Sequence, residues 1–254
     1  MRFRLTAFGL HLLASAAVLT LVLGALYLGW YRWPGWYLSS VLHVVGIVVM
    51  VDLVVGPILT VVVSNPLKPR RILGRDIALI VTVQLAALVY GSVTLWSGRP
   101  LYYAFSVNRL DCVQASDINA SEIALALREN PSLAPHWYSL PRWIWAPLPD
   151  DPDQAVHIVN DATFGSGKDV TEMPRYFKPW EQGLPKLRDQ LKRLDELKEL
   201  NKKEKQYLHG RLSADGLAPD ERNLLVMWGG SRRVVAIFDP ATLQLKALLR
   251  PDLG

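Results

Sequence analysis

The sequence predicts a membrane protein with three transmembrane helices, followed by a soluble α+β domain with a long amphipathic helix and a small antiparallel sheet. Three observations support this fold class. Residues 1–97 contain three apolar runs, each about as long as a bilayer is thick. Short basic segments flank these runs. Residues 98–254 have an ordinary polar composition with helical and strand periodicities. We therefore predict two domains, a three-helix transmembrane domain over residues 1–97 and an α+β domain over residues 98–254.

The excess positive charge lies entirely in the membrane half of the chain. The 254 residues include 28 Lys or Arg and 23 Asp or Glu, which gives a net charge of +5. Residues 1–97 hold seven of the basic residues and two acids, and residues 98–254 hold twenty-one of each sign. Basic residues beside apolar segments orient a membrane protein, so this charge does not indicate nucleic acid as a partner. The one cysteine, Cys112, excludes an internal disulfide and a thiolate zinc cluster.

The predicted spans are residues 5–28, 38–63 and 77–96, because about 20 apolar residues cross a hydrocarbon core of roughly 30 Å. A cleaved signal peptide is the alternative interpretation of the first span. Its apolar run is longer than a signal-peptide core and ends in Leu28-Gly29-Trp30-Tyr31 instead of small residues, so we favour a retained helix. The link GWYRWPGWY, residues 29–37, predicts a tight turn with an aromatic belt at the interface.

Basic residues in the short connecting segments predict the orientation. Two lie at the N-terminus and four in the loop Asn65–Asp76, whereas the first loop contains only Arg32. The positive-inside rule places the N-terminus and the second loop in the cytoplasm and residues 98–254 outside. We expect a multi-pass protein of the bacterial inner membrane with a periplasmic C-terminal domain. The residues that determine this topology are Arg2, Arg4, Lys68, Arg70, Arg71 and Arg75.

Periodicity predicts the elements of the soluble domain. Residues 131–155, rich in proline and tryptophan, are predicted to form an irregular loop. The longest amphipathic helix is predicted over Trp180–His209, where leucines recur every three or four residues. The leucines do not keep a strict heptad, which favours packing on the sheet over a coiled coil. The other predicted elements are a strand at Leu101–Val107, a helix at Ser116–Arg128 capped by Ser116 or Asp117, and an antiparallel sheet of Leu224–Trp228, Arg233–Phe238 and Leu243–Leu249.

Asp52 is the foremost candidate for a functional role, because it lies inside the second apolar run. A carboxylate in a span costs at least ~2.5–3.5 kcal/mol on insertion scales and therefore faces a partner or a cavity. One interpretation is contact with the helix of another protein; the other is an internal hydrogen bond to His11, His43 or Gln84. A proton pathway is disfavoured, since no chain of titratable groups accompanies the acid. A Gly-Pro pair one turn later permits a bend or close packing. The candidate partner-contact residues are Asp52, Gly56 and Pro57.

The sequence contains no recognisable motif for catalysis or cofactor binding. The tract Phe164–Asp169 resembles half of a phosphate-binding loop, but Ala162 stands where that pattern needs glycine and Asp169 where it needs serine or threonine. The five histidines lack metal-ligand spacing, and no nucleophile elbow is present. We predict that the protein is not an enzyme and has no catalytic, cofactor-binding or metal-binding residues.

Motifs spread over most of the chain form a pattern. The second span contributes Asp52, Gly56, Pro57 and Thr60, and the segment after it contributes Asn65-Pro66, Lys68-Pro69-Arg70-Arg71 and Arg75-Asp76. The third span adds Gln84 to Gly91, and the soluble domain adds Arg99-Pro100, Val107-Asn108-Arg109, Asp117-Ile118, Pro149–Asp153, Asp169 and Pro174-Arg175-Tyr176. This pattern resembles the type IV pilin accessory proteins of the TfpX/TfpZ family, most specifically from Asp52 to Arg109. Asn108 departs from it, because an acid is expected there.

The resemblance implies an inner-membrane protein that assists the assembly or function of a cognate major pilin through transmembrane and periplasmic contacts. Its partners would be the major type IV pilin, the pilus assembly machinery and the lipid bilayer. Such a protein has a chaperone-like role in fimbrial biogenesis and twitching motility and is not an enzyme. The alternative is a membrane-anchored periplasmic sensor or an envelope structural protein. The sequence identifies neither the pilin nor whether the chain self-associates.

Overall fold

The computed structural model describes residues 2–65, 67–164, 167–218 and 220–253. The chain forms two compact units, one consisting of Met1–Arg32 with Val41–Gly98 and the other of Trp33–Ser40 with Arg99–Gly254. We call them the membrane unit and the soluble domain. The membrane unit contains long apolar helices, and the soluble domain contains a sheet with helices, so the predicted fold class is confirmed.

Among the described residues, three helices are long and apolar enough to cross a membrane: Arg2–Gly29, Leu42–Val63 and Arg70–Ser97. Even the shortest, with 22 residues, is about 33 Å long at 1.5 Å per residue. Many of their apolar side chains point outward; Leu10 and Leu21 of the first helix are 71% and 74% exposed. Apolar exposure over whole helices is what lipid-facing surfaces present. These helices indicate a membrane protein.

The second and third helices begin at other residues than the sequence predicted. The second begins at Leu42, and it consists of two α-helical segments joined by a π-helical turn, Met50–Val55. The third begins at Arg70, directly after Pro69. Proline is well tolerated at a helix start, and arginine is a good helix former whose long stem reaches water from a helix end. Much of the predicted basic loop is therefore helical; Pro66 within it lies outside the described residues.

The segment between the first two helices contributes to the core of the soluble domain. Its short helix, Gly35–Leu38, buries Tyr37 and Leu38, which are 5% and 1% exposed. Leu38 packs in the same hydrophobic cluster as Met227. Gly229 makes this fit possible, because a Cβ at that position would stand 2.5 Å from the Cβ and the carbonyl oxygen of Leu38. Hydropathy assigned Leu38 to the second span, but the side chain is a core residue of the soluble domain.

The strands of the soluble domain form one mixed sheet. They are β1 Pro100–Ser106, β2 Arg109–Gln114, β3 Arg142–Ala146, β4 Lys178–Pro179, β5 Leu224–Gly229, β6 Arg232–Phe238 and β7 Leu245–Leu249. Within the described residues the sheet has seven strands in the order β4-β3-β1-β2-β5-β6-β7. The β1–β3 and β2–β5 pairs are parallel. The tail strands β5, β6 and β7 pair antiparallel as predicted, but they extend one side of this larger sheet.

The predicted helix at Ser116–Arg128 begins later, at Ala120, and ends at Glu129. Its N-cap is Asn119, whose side-chain oxygen accepts a hydrogen bond from the Glu122 N–H at 2.9 Å. Asp117 instead closes the preceding turn, because its Oδ2 accepts from the Gln114 N–H at 2.7 Å. Cap-forming side chains occur at several adjacent positions here, and the sequence alone does not rank them.

The irregular loop predicted over residues 131–155 is wrong in part. It contains β3 and the first turn of a helix, Pro152–Phe164. In β3 the partly buried Trp143 and Trp145 alternate with the buried Ile144 and Ala146. This period-2 pattern is typical of a strand, but it is short and lies between proline-rich flanks, which obscure it in the sequence.

The single long helix predicted over Trp180–His209 is also wrong. The structure has two helices there, Trp180–Gln190 and Lys202–Ala214, with a largely extended segment between them. Lys192 of this segment pairs with Leu224 at the start of β5 through main-chain hydrogen bonds of 2.9 and 3.0 Å. The sheet therefore takes up the main-chain groups that would have continued the helix.

A sequence signal for this break is present at Asn201. Its side chain accepts from the Glu204 N–H at 3.0 Å, and the Glu204 carboxylate accepts from the Asn201 N–H at 2.8 Å. This capping box starts a new helix. The leucine side chains nevertheless face the domain core, as predicted for packing on the sheet. The buried ones are Leu187, Leu191, Leu194, Leu197, Leu200 and Leu208.

Leu38→Ala is expected to destabilise the soluble domain by about 2–5 kcal/mol, the usual cost of truncating a buried leucine. Cys112 reports this loss, because the residue is 6% exposed and burial raises the pKa of its thiol to about 12, so that labelling is slow until the domain opens. In the detergent-solubilised full chain, a thiol reagent should label Cys112 faster in the variant than in the wild type. Leu140→Ala, at a position that is 57% exposed, is the matched control. Equal labelling of Leu38→Ala and wild type would contradict the placement of Leu38.

Candidate functional site

The π-helical turn in the second membrane helix changes which main-chain groups are paired. In this wide turn the Gly56 N–H donates to the carbonyl oxygen of Val51, five residues earlier. The next donor in the same register would be the N–H of residue 57, but Pro57 has none. The carbonyl oxygen of Asp52 is thereby left for a donor from outside the turn.

Gln84 of the third helix supplies this donor. Its Nε2 donates to the carbonyl oxygen of Asp52 at 3.2 Å. The approach requires glycine at position 56, because a Cβ there would overlap the Gln84 carboxamide. Gly56 and Pro57 act as a pair: Pro57 frees the oxygen, and Gly56 makes room for the side chain that binds it. An unpaired main-chain group in hydrocarbon costs several kcal/mol, so this contact attaches the third helix to the second.

His11 of the first helix extends the hydrogen bonding to all three helices. Its Nε2 lies 2.7 Å from Gln84 Oε1, and its Nδ1 lies 2.6 Å from Thr60 Oγ1. The Thr60 hydroxyl also donates to the Gly56 carbonyl oxygen at 3.0 Å. Both ends of the Gln84 carboxamide are therefore engaged, one by His11 and one by the main chain of the second helix. We call His11, Asp52, Thr60 and Gln84 the polar cluster.

The side chain of Asp52 is in a different situation from its main chain. The residue is 4% exposed, yet Oδ1 has no hydrogen-bond partner among the described residues. It lines a groove of about 360 Å³ in the membrane unit, together with the rest of the polar cluster. Apolar residues of the first and third helices, such as Leu10 and Leu85, form the walls. The groove thus combines an apolar lining with a buried carboxyl group.

The other residues singled out in the sequence lie in separate places. Gly56 and Pro57 are buried inside the membrane unit. His43, considered above as a partner of Asp52, is exposed, whereas His11 and Gln84 belong to the polar cluster. Lys68 forms an ion pair with Asp76 at 2.8 Å. The remaining topology-determining residues, all exposed, are Arg2, Arg4, Arg70, Arg71 and Arg75.

The soluble domain contains an acidic cavity of about 350 Å³. Arg109 in its lining donates to Asp111 through Nε and to Asp169 through Nη2, both at 2.8 Å. Asp117 and Glu172 also line the cavity. Four carboxyl groups and one guanidinium give it a negative potential at neutral pH. The family pattern included Arg109, Asp117 and Asp169, but the sequence did not predict that they lie together, because Asp169 comes from a distant part of the chain.

Burial raises the pKa of three of these carboxyl groups, those of Asp111, Asp117 and Glu172. The Arg109 guanidinium opposes this effect at Asp111. At Glu172 the negative charges of Asp117 and Asp169 raise the pKa further, and Lys168 opposes them. The cavity therefore holds carboxyl groups whose ionised forms are disfavoured in the folded state.

Several of the residues that carry the family resemblance in the soluble domain line two cavities. Arg109, Asp117 and Asp169 line the acidic cavity. A second cavity, of about 360 Å³, is lined by other parts of the pattern, which are Pro149, Asp150, Asp151, Arg175 and Tyr176. Motifs that are distant in the sequence therefore form two surfaces of the folded domain.

In the described part of the chain, no group of three or more His, Cys, Asp or Glu side chains is placed to hold a metal ion. The tract that resembles half of a phosphate loop includes Gly165 and Ser166, which lie outside the described residues. The polar cluster with its groove and the two cavities are thus the candidate functional sites among the described residues.

The chain is similar to fimbrial assembly proteins of Dichelobacter nodosus. It is 27% identical to the protein of serogroup I over 202 residues, which cover 78% of this chain and 76% of the relative. It is 26% identical to the protein of serogroup E1 over 217 residues, covering 84% of this chain and 81% of the relative. The protein of serogroups C1 and C2 is 29% identical over 118 residues, 46% of this chain and 90% of the relative. No family model and no solved structure matches.

Gly56→Ala is expected to destabilise the membrane unit by about 1–3 kcal/mol, because the added methyl group displaces the Gln84 carboxamide. The measurement is the free energy of unfolding of the full chain in mixed detergent and SDS micelles. Gly46→Ala in the same helix is the control, since a Cβ there has no described atom within 4 Å. In a Gln84→Ala background the penalty should largely disappear, because the overlap is gone. A penalty unchanged by Gln84→Ala would mean that Gly56 does not serve this contact.

Glu172→Gln is expected to stabilise the soluble domain at neutral pH and to have little effect in acid. Because the pKa of Glu172 is raised in the folded state, ionisation of this group costs stability. Its contribution to stability is full below the pKa of the unfolded state and is lost as the pH rises through the pKa of the folded state. The uncharged glutamine avoids this loss. Thermal unfolding of the full chain, followed by Cys112 labelling, should show a difference from wild type that grows between acidic and neutral pH. Glu221→Gln, at an exposed position, is the control. A difference that is constant with pH would contradict the electrostatic explanation.

Proposed function

We propose that this chain is an inner-membrane accessory protein that assists the assembly of a cognate fimbrial subunit, the major type IV pilin, through transmembrane and periplasmic contacts. One observation carries the proposal: the similarity to proteins named fimbrial assembly protein covers up to 84% of the chain and so includes both units. The resemblance to pilin accessory proteins supports the same role. In this proposal the chain is not an enzyme and acts by binding.

The two units offer two contacts to one partner. A fimbrial subunit that waits in the membrane by an apolar helix presents one surface inside the bilayer and another outside it. A chain with membrane helices and a soluble domain is suited to bind both. Two weak contacts joined in one molecule gain from effective concentration, by roughly 10²–10⁴-fold. Such a protein holds the subunit ready for the assembly machinery without a tight interface of its own.

The contact residues that we proposed in the membrane unit divide into two roles. Asp52 lines the groove and offers a carboxyl group to a partner. Gly56 and Pro57 are buried and position the side chain of Gln84, which lines the same groove, so we propose that they act on the partner indirectly. In the soluble domain, the acidic cavity and the second cavity gather residues of the family pattern. We propose that these two cavities bind the part of the subunit that lies outside the bilayer.

The charges at the helix starts support a cytoplasmic N-terminus and a periplasmic soluble domain. Arg2 and Arg4 open the first helix, and exposed arginines open the third. Three consecutive spans place these two helix starts on the same side of a bilayer. The positive-inside rule assigns that side to the cytoplasm. Lys68, which forms an ion pair with Asp76 at 2.8 Å, remains among these residues, because the rule counts Lys and Arg and not net charge.

Deleting the gene from its own bacterium is expected to remove surface fimbriae while the transcript of the fimbrial subunit stays at its wild-type level. The wild-type chain supplied from a plasmid should restore them. A phosphatase tag placed after residue 254, active only outside the cytoplasm, reads the orientation in the same complemented strain. Normal fimbriation of the deletion strain would overturn the proposal. A fall in the subunit transcript would favour a sensor, and envelope defects with intact fimbriae would favour a structural protein.

Photo-crosslinking in these cells tests the direct contact that this function requires. The crosslinking residue replaces Asp151, which is exposed and lines the second cavity. Lys246, exposed on β7, is the control position. The fimbrial subunit should be captured from position 151 more than from position 246. Equal capture from both positions, or capture from neither, would remove the second cavity from the interface.

A further inference from the structure

The groove in the membrane unit is shaped to receive a helix. Leu10 and Leu85 in its lining are 71% and 52% exposed, so the groove opens outward, toward the hydrocarbon around the unit. On the first helix it is lined by Ala7 and Ala14, which lie two helical turns apart on one face. Small residues at such spacing let the backbone of another helix approach closely. The open side and the small residues together provide a seat for a helix that crosses the bilayer.

The carboxyl group of Asp52 in this groove is buried and incompletely paired. The residue is 4% exposed, and its Oδ1 has no hydrogen-bond partner among the described residues. The neighbouring polar groups already have partners: His11 contacts Thr60 and Gln84 through its two ring nitrogens, and Gln84 binds the main chain of Asp52 and also acts on its carboxyl group. Neither supplies a hydrogen bond to Oδ1. An incompletely paired acid at this depth is costly, and a donor that enters through the groove and binds Oδ1 lowers that cost.

We propose that the groove binds a transmembrane helix of another protein that carries a hydrogen-bond donor in its hydrocarbon-embedded part, and that this donor binds Oδ1 of Asp52. The complementarity of donor and acceptor selects the occupant. A lipid acyl chain fills an apolar groove but has no donor, so it leaves the carboxyl group unpaired. An amide, hydroxyl or ammonium group on a helix satisfies the acid, while the apolar remainder of that helix packs against the walls. That this helix is the membrane segment of a fimbrial subunit rests on the proposed function. The need for a donor rests only on the residues of the groove.

Asp52 thereby selects among membrane helices. A fully apolar helix packs in the groove but offers no donor to the carboxyl group. A helix with an acidic residue at the same depth places a second hydrogen-bond acceptor opposite that of Asp52. Interhelical hydrogen bonds in bilayers contribute modestly, and we therefore expect a preference of about 3- to 10-fold for the helix with the donor. A preference of this size suits a protein that must bind its partner and then release it.

The test uses the full chain, fluorescently tagged at one end and reconstituted in phosphatidylcholine vesicles. The probes are two labelled synthetic helices of about 20 leucines, one with a central asparagine and one without. Energy transfer is measured at peptide-to-lipid ratios at which each probe alone is monomeric. The asparagine probe should associate with wild type about 3- to 10-fold more strongly than with Asp52→Leu. The all-leucine probe should not distinguish the two proteins.

A second pair of variants tests the groove without changing Asp52. Ala14→Leu fills the groove from the first helix, whereas Ala17→Leu adds the same side chain at an exposed position of that helix that does not line the groove. Only Ala14→Leu should weaken association with the asparagine probe. Both substitutions are at exposed positions, so neither is expected to disturb folding.

Three results with the asparagine probe would overturn the proposal. The probe fails to associate with wild type, it associates equally with wild type and Asp52→Leu, or its association falls equally in Ala14→Leu and Ala17→Leu. Energy transfer between differently tagged copies of the chain that depends on Asp52 would assign the groove to a second copy and also overturn it. The outcome is separate from that of the fimbriation experiment. If fimbriae survive the gene deletion but the probe behaves as expected, the groove stands and its assignment to a fimbrial subunit fails.

Discussion

The structure of the membrane unit depends on how one main-chain oxygen is satisfied in hydrocarbon. The π-helical turn and Pro57 together leave the carbonyl oxygen of Asp52 without a donor in its own helix. Gln84 donates to it only because position 56 is glycine. His11 then holds the other end of the Gln84 carboxamide. A change at any of these positions alters the pairing of the rest, since hydrocarbon itself supplies no hydrogen-bonding group to replace a lost partner.

The soluble domain is constrained in a different way, by a segment that lies between two membrane helices in sequence. Leu38 fills part of its core, and the carbonyl oxygen of Tyr37 accepts from Arg232 at 3.3 Å. The domain cannot complete its core from residues 99 onward alone. Contacts between residues so distant in sequence carry a large loop-closure cost, which the burial of Leu38 and Tyr37 offsets. A soluble fragment that starts at Arg99 lacks this part of the core.

Hydropathy predicted the three membrane helices because burial in lipid depends on composition over a long window, which short irregularities do not disturb. It failed at the ends, where Leu38 is apolar but belongs to another core and Arg70 is charged but helical. The recurring leucines of Trp180–His209 predicted which side chains are buried. They did not predict that pairing of Lys192 with β5 breaks the helix, because that pairing depends on a strand about thirty residues later. Sequence polarity likewise found Asp52 and named Gln84 among its possible partners. That the main-chain oxygen is the acceptor follows from the register of a π-helical turn, which residue types alone do not predict.

The two interpretations of Asp52, internal support and contact with a partner, belong to different atoms of the same residue. The main-chain oxygen holds the third helix, and any residue type at position 52 provides that oxygen. The carboxyl group is not needed for this contact, and it makes insertion of the helix more costly by at least ~2.5–3.5 kcal/mol. The other members of the polar cluster have partners inside the unit. The internal contact accounts for the main-chain oxygen, whereas Oδ1 of the carboxyl group has no hydrogen-bond partner among the described residues. In our proposal, the aspartate at this position serves a donor that enters the groove from outside the unit.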